Sequence, residues 1–308
     1  MSMTIRQLKY FVAAAELGQV SQAAIQLNIS QSAVTTAIRD LESLLGVSLF
    51  VRSTHGVTLT EQGRHFLNNA YQVLRSVDEA LNIPHTDEEA IGSIRLAATY
   101  TALGYLLPYH LQRLRQWYPN ISIDLYEYER IEIEDKLLDG SIDMAIVLTD
   151  NLIASEIVSE KLFSSERRLW ISSHHALSQK KTLALEDIEK EPFIMLTVDE
   201  ADMSAMRYWN RKSLQPNVIL RTSSVESVRS MVANGLGVAI LSDLVYRPWS
   251  LEGRRIETRS LDDVIDPMSV GLAWKRGKSF TQAMLAVRRY FQQAYLMPQQ
   301  NVMRNTVL

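Results

Sequence analysis

Between Val20 and Leu49 the apolar positions fall into two short helical groups. Ala23, Ala24 and Leu27 form the first, with Ser21 placed to cap it, and Asn28 to Ser30 supplies a tight polar turn. Val34, Ile38, Leu41 and Leu45 step by four, three and four, which makes one buried stripe on a second helix starting near Gln31 and ended by Gly46. Two short helices around a three-residue turn predict a helix-turn-helix, and the Ala pair lets the helices approach closely. Two β-type runs, Leu49 to Arg52 and Val57 to Thr60, flank a Gly-containing turn and predict a hairpin, or wing.

From Thr60 to Ile83 the pattern becomes that of one long amphipathic helix, with Thr60 as its cap. Leu67, Leu74 and Leu81 recur every seven residues, and Ala70 and Val77 take the companion positions of a short coiled-coil seam. Two readings stand for that stripe: a dimer interface that spaces two DNA-reading heads, or a helix packed on its own domain. Its place between domains, and the two-fold half-sites that helix-turn-helix proteins read, favour the dimer. Pro84, His85, Thr86 and Asp87 break the helix.

After Gly92, short apolar runs at 94–98, 121–126, 142–148, 168–173, 193–198, 218–221, 237–241 and 268–274 alternate with helical stretches. That alternation predicts an α/β architecture with a largely parallel sheet. The stretch from Pro298 to Leu308 is polar and is expected to fray. No tandem repeat or low-complexity segment interrupts the pattern.

Composition narrows the chemistry. The chain has 308 residues, 46% of them hydrophobic, and a net charge of -3, so it can fill about two folded domains. No apolar run reaches the roughly 18 residues of a membrane span, and residues 1–10 lack the form of a secretory signal. Together these predict a cytoplasmic protein without a membrane partner. Cys is absent, which excludes disulfides, thiolate catalysis, iron–sulfur clusters and Cys-ligated zinc.

On the outer face of the second helix stand Gln31, Ser32, Thr35, Thr36 and Arg39. Short hydrogen-bonding side chains plus one cation suit base edges and phosphates in a major groove. Arg52 on the wing, and Ser21, could meet phosphate. Charge alone does not separate this reading from a solvated surface. Over residues 1–85 the cations Arg6, Lys9, Arg39, Arg52, Arg64 and Arg75 balance the acids Glu16, Asp40, Glu42, Glu61, Asp78 and Glu79, and nonspecific DNA affinity comes mainly from cations on phosphate.

The segments IRQLKYFVA (5–13), SQAA (21–24), SQSAVTTAIRDLE (30–42), LLGVSLFVR (44–52) and LTEQG (59–63) resemble, in order, the LysR-type transcriptional regulators. The rest of the chain resembles them more loosely, through LLDGSIDMAI (137–146), RLWI (168–171) and ANGLGVAIL (233–241). The resemblance implies a winged helix-turn-helix at 1–60, a linker helix and hinge at 61–88, and a two-lobed effector domain at 89–308 similar to periplasmic binding proteins. Lobe I would span about 89–163 and 268–308, and lobe II about 164–267. It also implies dimers, commonly assembled into tetramers, on double-stranded operator DNA, with a small-molecule effector changing DNA bending and access of RNA polymerase. Many family members have Pro at the position of Ser32 and a longer polar pair at Thr36 and Ala37, so base preference does not carry over.

In the effector domain, Ser93 to Ala98 reads as a strand that opens into Thr99, Tyr100 and Thr101 at a helix start. Ligands in open α/β sheets sit beyond the carboxyl ends of strands, where free N–H groups and hydroxyls favour a carboxylate or other anion. Glu129 and Arg130 follow the second strand. Arg130 could hold a carboxylate or pair with Glu127, Glu129 or Glu132. Thr197, Ser223 and Ser224 are the lobe II candidates. Adjacent His174 and His175 have no third ligand nearby in sequence, so no metal is expected. The glycines of 233–241 are a poor phosphate loop, no HExxH, GxSxG or GxxxxGK[ST] occurs, and no cofactor or catalytic set is predicted. A solute-binding protein or a small-molecule enzyme is the alternative. It leaves the attached DNA-reading module unexplained.

Overall fold

The computed structural model describes residues 3–53, 56–81 and 90–295. Contacts divide the chain into two units, Met1–His85 and Thr86–Leu308. The expected helix break at Pro84 to Asp87 and the polar tail from Pro298 lie outside the described residues.

In the first unit, α1 (Ile5–Leu17) opens with a reciprocal cap: Gln7 N–H donates to Thr4 Oγ1, and Thr4 N–H donates to Gln7 Oε1. Next come α2 (Val20–Gln26) and α3 (Gln31–Leu45), with Asn28 at φ 53 in the turn between them and Gly46 ending α3 at φ 69. Two expectations need correction. Ser21 does not cap α2: the helix starts two residues earlier, at Val20, so Gln19 takes the cap position, without a side-chain hydrogen bond. In α3 the core takes Val34, Ala37, Ile38 and Leu41, while Leu45, at the last helical residue, stays 39% exposed.

The wing consists of β1 (Phe50–Ser53) and β2 (Gly56–Leu59), antiparallel with Phe50 opposite Leu59. Glu42 Oε1 accepts from the N–H groups of Leu49 and Phe50 at 2.8 and 3.2 Å, so α3 holds the base of the wing. The Phe11 ring meets Phe50 and Phe66 at 5.2 and 5.0 Å, joining α1 to the wing and to α4 (Glu61–Leu81). Thr60 caps α4 by accepting from Gly63 N–H at 2.9 Å. A Cβ on Gly63 would stand 2.0 Å from the Leu49 carbonyl oxygen, so only glycine lets α4 start against the wing.

Part of the heptad stripe is buried within its own unit. Leu67, Ala70 and Leu74 are 5%, 1% and 8% exposed within the single chain. Helix α1 packs on α4, and Tyr71 OH donates to Glu16 at 2.8 Å. Those three side chains are therefore spent inside the unit and are not free to form a seam with a partner. Val77 is half-buried and Val73 is 39% exposed, and the Leu81 side chain lies outside the described residues.

The second unit begins with β3 (Gly92–Ala98), α5 (Tyr100–Tyr105), α6 (Leu107–Trp117), β4 (Ile121–Glu127), α7 (Arg130–Asp139), β5 (Met144–Leu148) and β6 (Ile157–Ser165). It continues through β7 (Arg167–Ser172), α8 (Leu185–Ile188), β8 (Pro192–Leu196), α9 (Ala201–Arg211), β9 (Asn217–Thr222), α10 (Val225–Ala233), β10 (Ala239–Ser242) and β11 (Ile256–Arg259). It closes with β12 (Met268–Lys275) and α11 (Gln282–Tyr295). Lobe I is a five-stranded sheet, β4-β3-β5-β12-β6, whose core includes Leu96, Ile146, Val270 and, from α11, Val287 and Phe291. Lobe II combines the three strands β10-β7-β11 with the pair β8-β9, linked by a bridge between Phe193 and Val238.

The sheets are mixed, not largely parallel. β3 runs parallel to β4 and β5, and β8 parallel to β9, but β12 is antiparallel to both β5 and β6, and β7 to both β10 and β11. The chain leaves lobe I on β6 and returns on β12, and an outgoing and a returning strand side by side must oppose each other. β6 and β11, absent from the apolar runs, are edge strands and therefore carry more polar residues. The glycine turn before β10 is structural: a Cβ on Gly237 would lie 2.6 Å from the Pro192 carbonyl oxygen.

Candidate nucleic-acid interface and effector cleft

Helix α3 exposes Gln31, Ser32, Thr36 and Arg39 along one face, beginning at its capped end. Ser30 Oγ accepts from Ala33 N–H at 3.3 Å and lies 3.0 Å from Ser32 Oγ. Thr35 is half-buried, and its hydroxyl donates to the Gln31 carbonyl at 2.9 Å, so its proton is already used and only its lone pairs remain. Exposed Ala33 sits on the same turn and was missed in the sequence because a methyl group carries no polar signal; it suits a thymine methyl. Arg39 has no carboxylate within ion-pair distance among the described residues. Arg52, on the wing, has a loose contact with Glu42 at 3.9 Å and an exposed side chain. Ser21 is half-buried on α2.

In the second unit the lobes meet through the turn at Val198–Glu200. Asp199 and Glu200 both take left-handed conformations, at φ 51 and 60. This turn places two carboxylates on the groups expected to receive a ligand. Thr101 N–H donates to Asp199 Oδ2 at 2.7 Å, and Arg130 Nε donates to Glu200 Oε1 at 2.8 Å. Asn151 Nδ2 donates to the Asp199 carbonyl at 3.0 Å, and farther along the cleft Tyr105 OH donates to Glu226 at 3.4 Å. Arg130 Nη1 also donates to Glu134 at 3.0 Å, and Glu134 accepts from the N–H groups of Ile153 and Ala154. Burial works against the Arg130 charge, but Glu200 and Glu134 outweigh it and hold the guanidinium above its ordinary pKa.

Behind the turn lies a cavity of about 40 Å³, lined mainly by lobe II with Thr101, Leu148 and Met268 from lobe I. Its ionised lining residues are Arg167 and Asp199. Tyr208, 2% exposed, lines it with a hydroxyl that has no hydrogen-bond partner among the described residues. Ser204 Oγ accepts from Arg207 at 2.8 Å.

Residues 5–64 match the family model described as the bacterial regulatory helix-turn-helix protein of the lysR family, and residues 87–295 match the LysR substrate binding domain. The chain belongs to the LysR family of transcriptional regulators. CysB of Haemophilus influenzae, an HTH-type transcriptional regulator, is 25% identical over 94% of this chain and 90% of its own length. The hydrogen peroxide-inducible genes activator of the same organism is 28% identical over 79% of this chain and 81% of its own. Among solved structures, HinK, a LysR family regulator from Pseudomonas aeruginosa, superposes with a TM-score of 0.62 at 28% identity, covering 96% of this chain and all (100%) of its own. A hydrogen peroxide-bound OxyR from Corynebacterium glutamicum gives 0.55 at 25% identity, covering 96% of this chain and 94% of its own. This LysR-type chain has no Cys, so a thiol cannot be its sensing group.

Within this LysR-type effector domain, the expected residues do not converge on one site. Thr101 lines the inter-lobe cavity, whereas Tyr100 lines a separate open groove with Tyr105 and Glu226. Thr99 is 3% exposed and its hydroxyl has no hydrogen-bond partner. Glu129 is exposed at the start of α7 and does not line the cavity. Arg130 pairs with Glu200 and Glu134, not with Glu127, Glu129 or Glu132. Thr197 N–H is tied to the Thr222 carbonyl, and Thr197 also stays out of the cavity. Ser224 caps α10 by accepting from Ser227 N–H at 3.1 Å, and Ser223 is exposed. His175 is spent as a cap, accepting from Leu177 N–H, and no metal-ligating group of three forms among the described residues. Asn151, Arg167, Asp199, Glu200, Ser204 and Tyr208 were missed, because nothing local in the sequence marks residues that meet only once the domain is folded.

Proposed function

We propose that this LysR-type regulator binds a double-stranded operator as a homo-oligomer and reads it through Gln31, Ser32, Thr35, Thr36 and Arg39, with Ser21 and Arg52 on phosphate. The observation that carries this reading is the exposed polar face at the capped end of α3, flanked by an exposed wing cation. A small anionic effector enters between the lobes, beside the 198–200 turn that links them. Its differential affinity for the two arrangements drives the change in the DNA complex and in access of polymerase. Oligomers form along α4 through Val73 and Val77, since Leu67, Ala70 and Leu74 are covered by their own chain.

Fluorescence anisotropy on the protein's own upstream DNA against scrambled DNA, at near-physiological salt, tests the reading. Selective binding, tighter by about a thousandfold or more, is expected; equal weak binding to both would sink it. Sedimentation of Val73→Glu tests the assembly, with a shift toward monomer as the expected result.

A further inference from the structure

The donors expected to greet an anionic ligand are already occupied: the Thr101 N–H holds Asp199, and Arg130 holds Glu200 and Glu134. An incoming anion there would have to displace a carboxylate of the chain itself. The cavity behind the turn has a different donor pair. Arg167 Nη1 donates to the backbone carbonyl of Asp266, and no carboxylate lies within ion-pair distance of Arg167 among the described residues. The neighbouring acids are engaged elsewhere: Asp150 Oδ2 accepts from Ser269 N–H at 3.1 Å, and Asp266 pairs with Arg211 at 2.9 Å. Burial pushes the Arg167 guanidinium down from its ordinary value, as expected for a cation short of counter-charge. Beside it, the buried Tyr208 hydroxyl has no partner among the described residues. Unpaired buried donors are rare, because each forfeits its hydration.

The rest of the cavity is mostly apolar, with walls that include Met195, Leu196, Ile240, Val245 and Met268. The cavity is small, about 40 Å³, so it admits only a compact ligand. We propose that it binds a small monocarboxylate with a compact apolar body, whose carboxylate is held by Arg167 and the Tyr208 hydroxyl. This rests on the reading of residues 86–308 as an effector domain. Asp199 is the acidic residue on the wall, with Glu200 next to it in the turn, so a second carboxylate on the ligand meets like charge. The site therefore selects monoanions over dianions of the same size.

Calorimetric titration and thermal shift of the full-length protein test this with named probes. The monocarboxylates are benzoate and isobutyrate, each with its neutral amide. The dianions are terephthalate and succinate, and inorganic phosphate stands for a bare anion. The monocarboxylates are expected to bind and stabilise the protein, with amides and dianions weaker by at least about tenfold. Tyr208→Phe removes one oxygen, and Arg167→Gln removes the charge; each should cost benzoate binding about tenfold or more, with Tyr208→Phe unchanged in ligand-free melting temperature. Amides or dianions binding as well as monocarboxylates, phosphate alone binding, or Tyr208→Phe binding benzoate like the wild type would each overturn the proposal. Operator binding is measured in parallel without ligand. A protein that grips its operator but takes up no monocarboxylate at millimolar concentration overturns this proposal alone. Loss of selective operator binding by the wild type would count against the regulator reading itself.

Discussion

The exposed face of α3 and the 198–200 turn are both polar, but they treat their polar groups in opposite ways. On α3 the side chains from Gln31 to Arg39 stand on one helix, and the cation Arg39 has no carboxylate partner among the described residues. At the turn every carboxylate is bonded to the other lobe, through pairs as distant in sequence as Thr101 and Asp199. Solvent explains the difference. An exposed face can leave its donors to water until a large polyanion replaces that water. In the low-dielectric turn an unpaired carboxylate is costly, and the chain supplies Asp199 and Glu200 with donors of its own.

That contrast can be broken most forcefully at Arg130. Arg130→Ala strips the buried Glu134, 7% exposed, and Glu200 of their cation. It should destabilise the effector unit by about 3–5 kcal/mol, while calorimetry finds the melting of the DNA-reading unit unchanged. Equal loss in both units would mean that the two polar arrangements are not independent.

Asp243 sharpens the point that the second unit is governed by burial. Its carboxyl is pushed up to about 6, first by burial and against the pull of Arg168 at 3.0 Å. The folded state thus prefers the protonated form. The stability this contributes is full below the unfolded carboxylate pKa of about 3.9 and is lost as pH rises through the folded value, a swing of about 3 kcal/mol. Melting temperatures of Asp243→Asn should lack this decline, and an unchanged pH profile in the variant would remove Asp243 as its source.

Smaller effects test the open surface. Replacing Thr35 and Thr36 by Ala should weaken operator binding by about 1–3 kcal/mol and leave the fold intact. The larger share should fall on exposed Thr36, because the Thr35 proton is already given to Gln31. Single substitutions measured by anisotropy separate the two. Arg52→Ala should cost least, lowering affinity for all sequences alike and reducing the salt slope by about 1. A sequence-dependent loss would move Arg52 from phosphate to base contact.

The DNA-reading unit was legible in the sequence because its information is local. The cap at Thr60, the stripe of Val34, Ile38 and Leu41, and the two short runs of the wing all act within a few residues of one another. The effector cleft was legible only as a location. Thr101 lines the cavity between the lobes, but a pattern read along one strand or helix cannot show that Asp199 would reach the Thr101 N–H. Periodicity left open what covers α4. Leu67, Ala70 and Leu74 repeat as a coiled-coil seam would, yet α1 covers them, because a heptad stripe records that a face is buried and not what buries it.

By itself, then, the sequence determined the winged helix-turn-helix, the exposed polar face of α3, the two-lobed α/β plan and the family, since short-range periodicity, capping and motif order encode each of them. Only the tertiary structure decided that the sheets are mixed, that the linker helix spends much of its seam on its own unit, and that the cleft is bridged by Asp199 and Glu200 while Arg167 and Tyr208 are left without a carboxylate. Those outcomes depend on which distant residues meet when apolar faces are buried together, and buried polar groups must then pair with whatever the fold brings within reach.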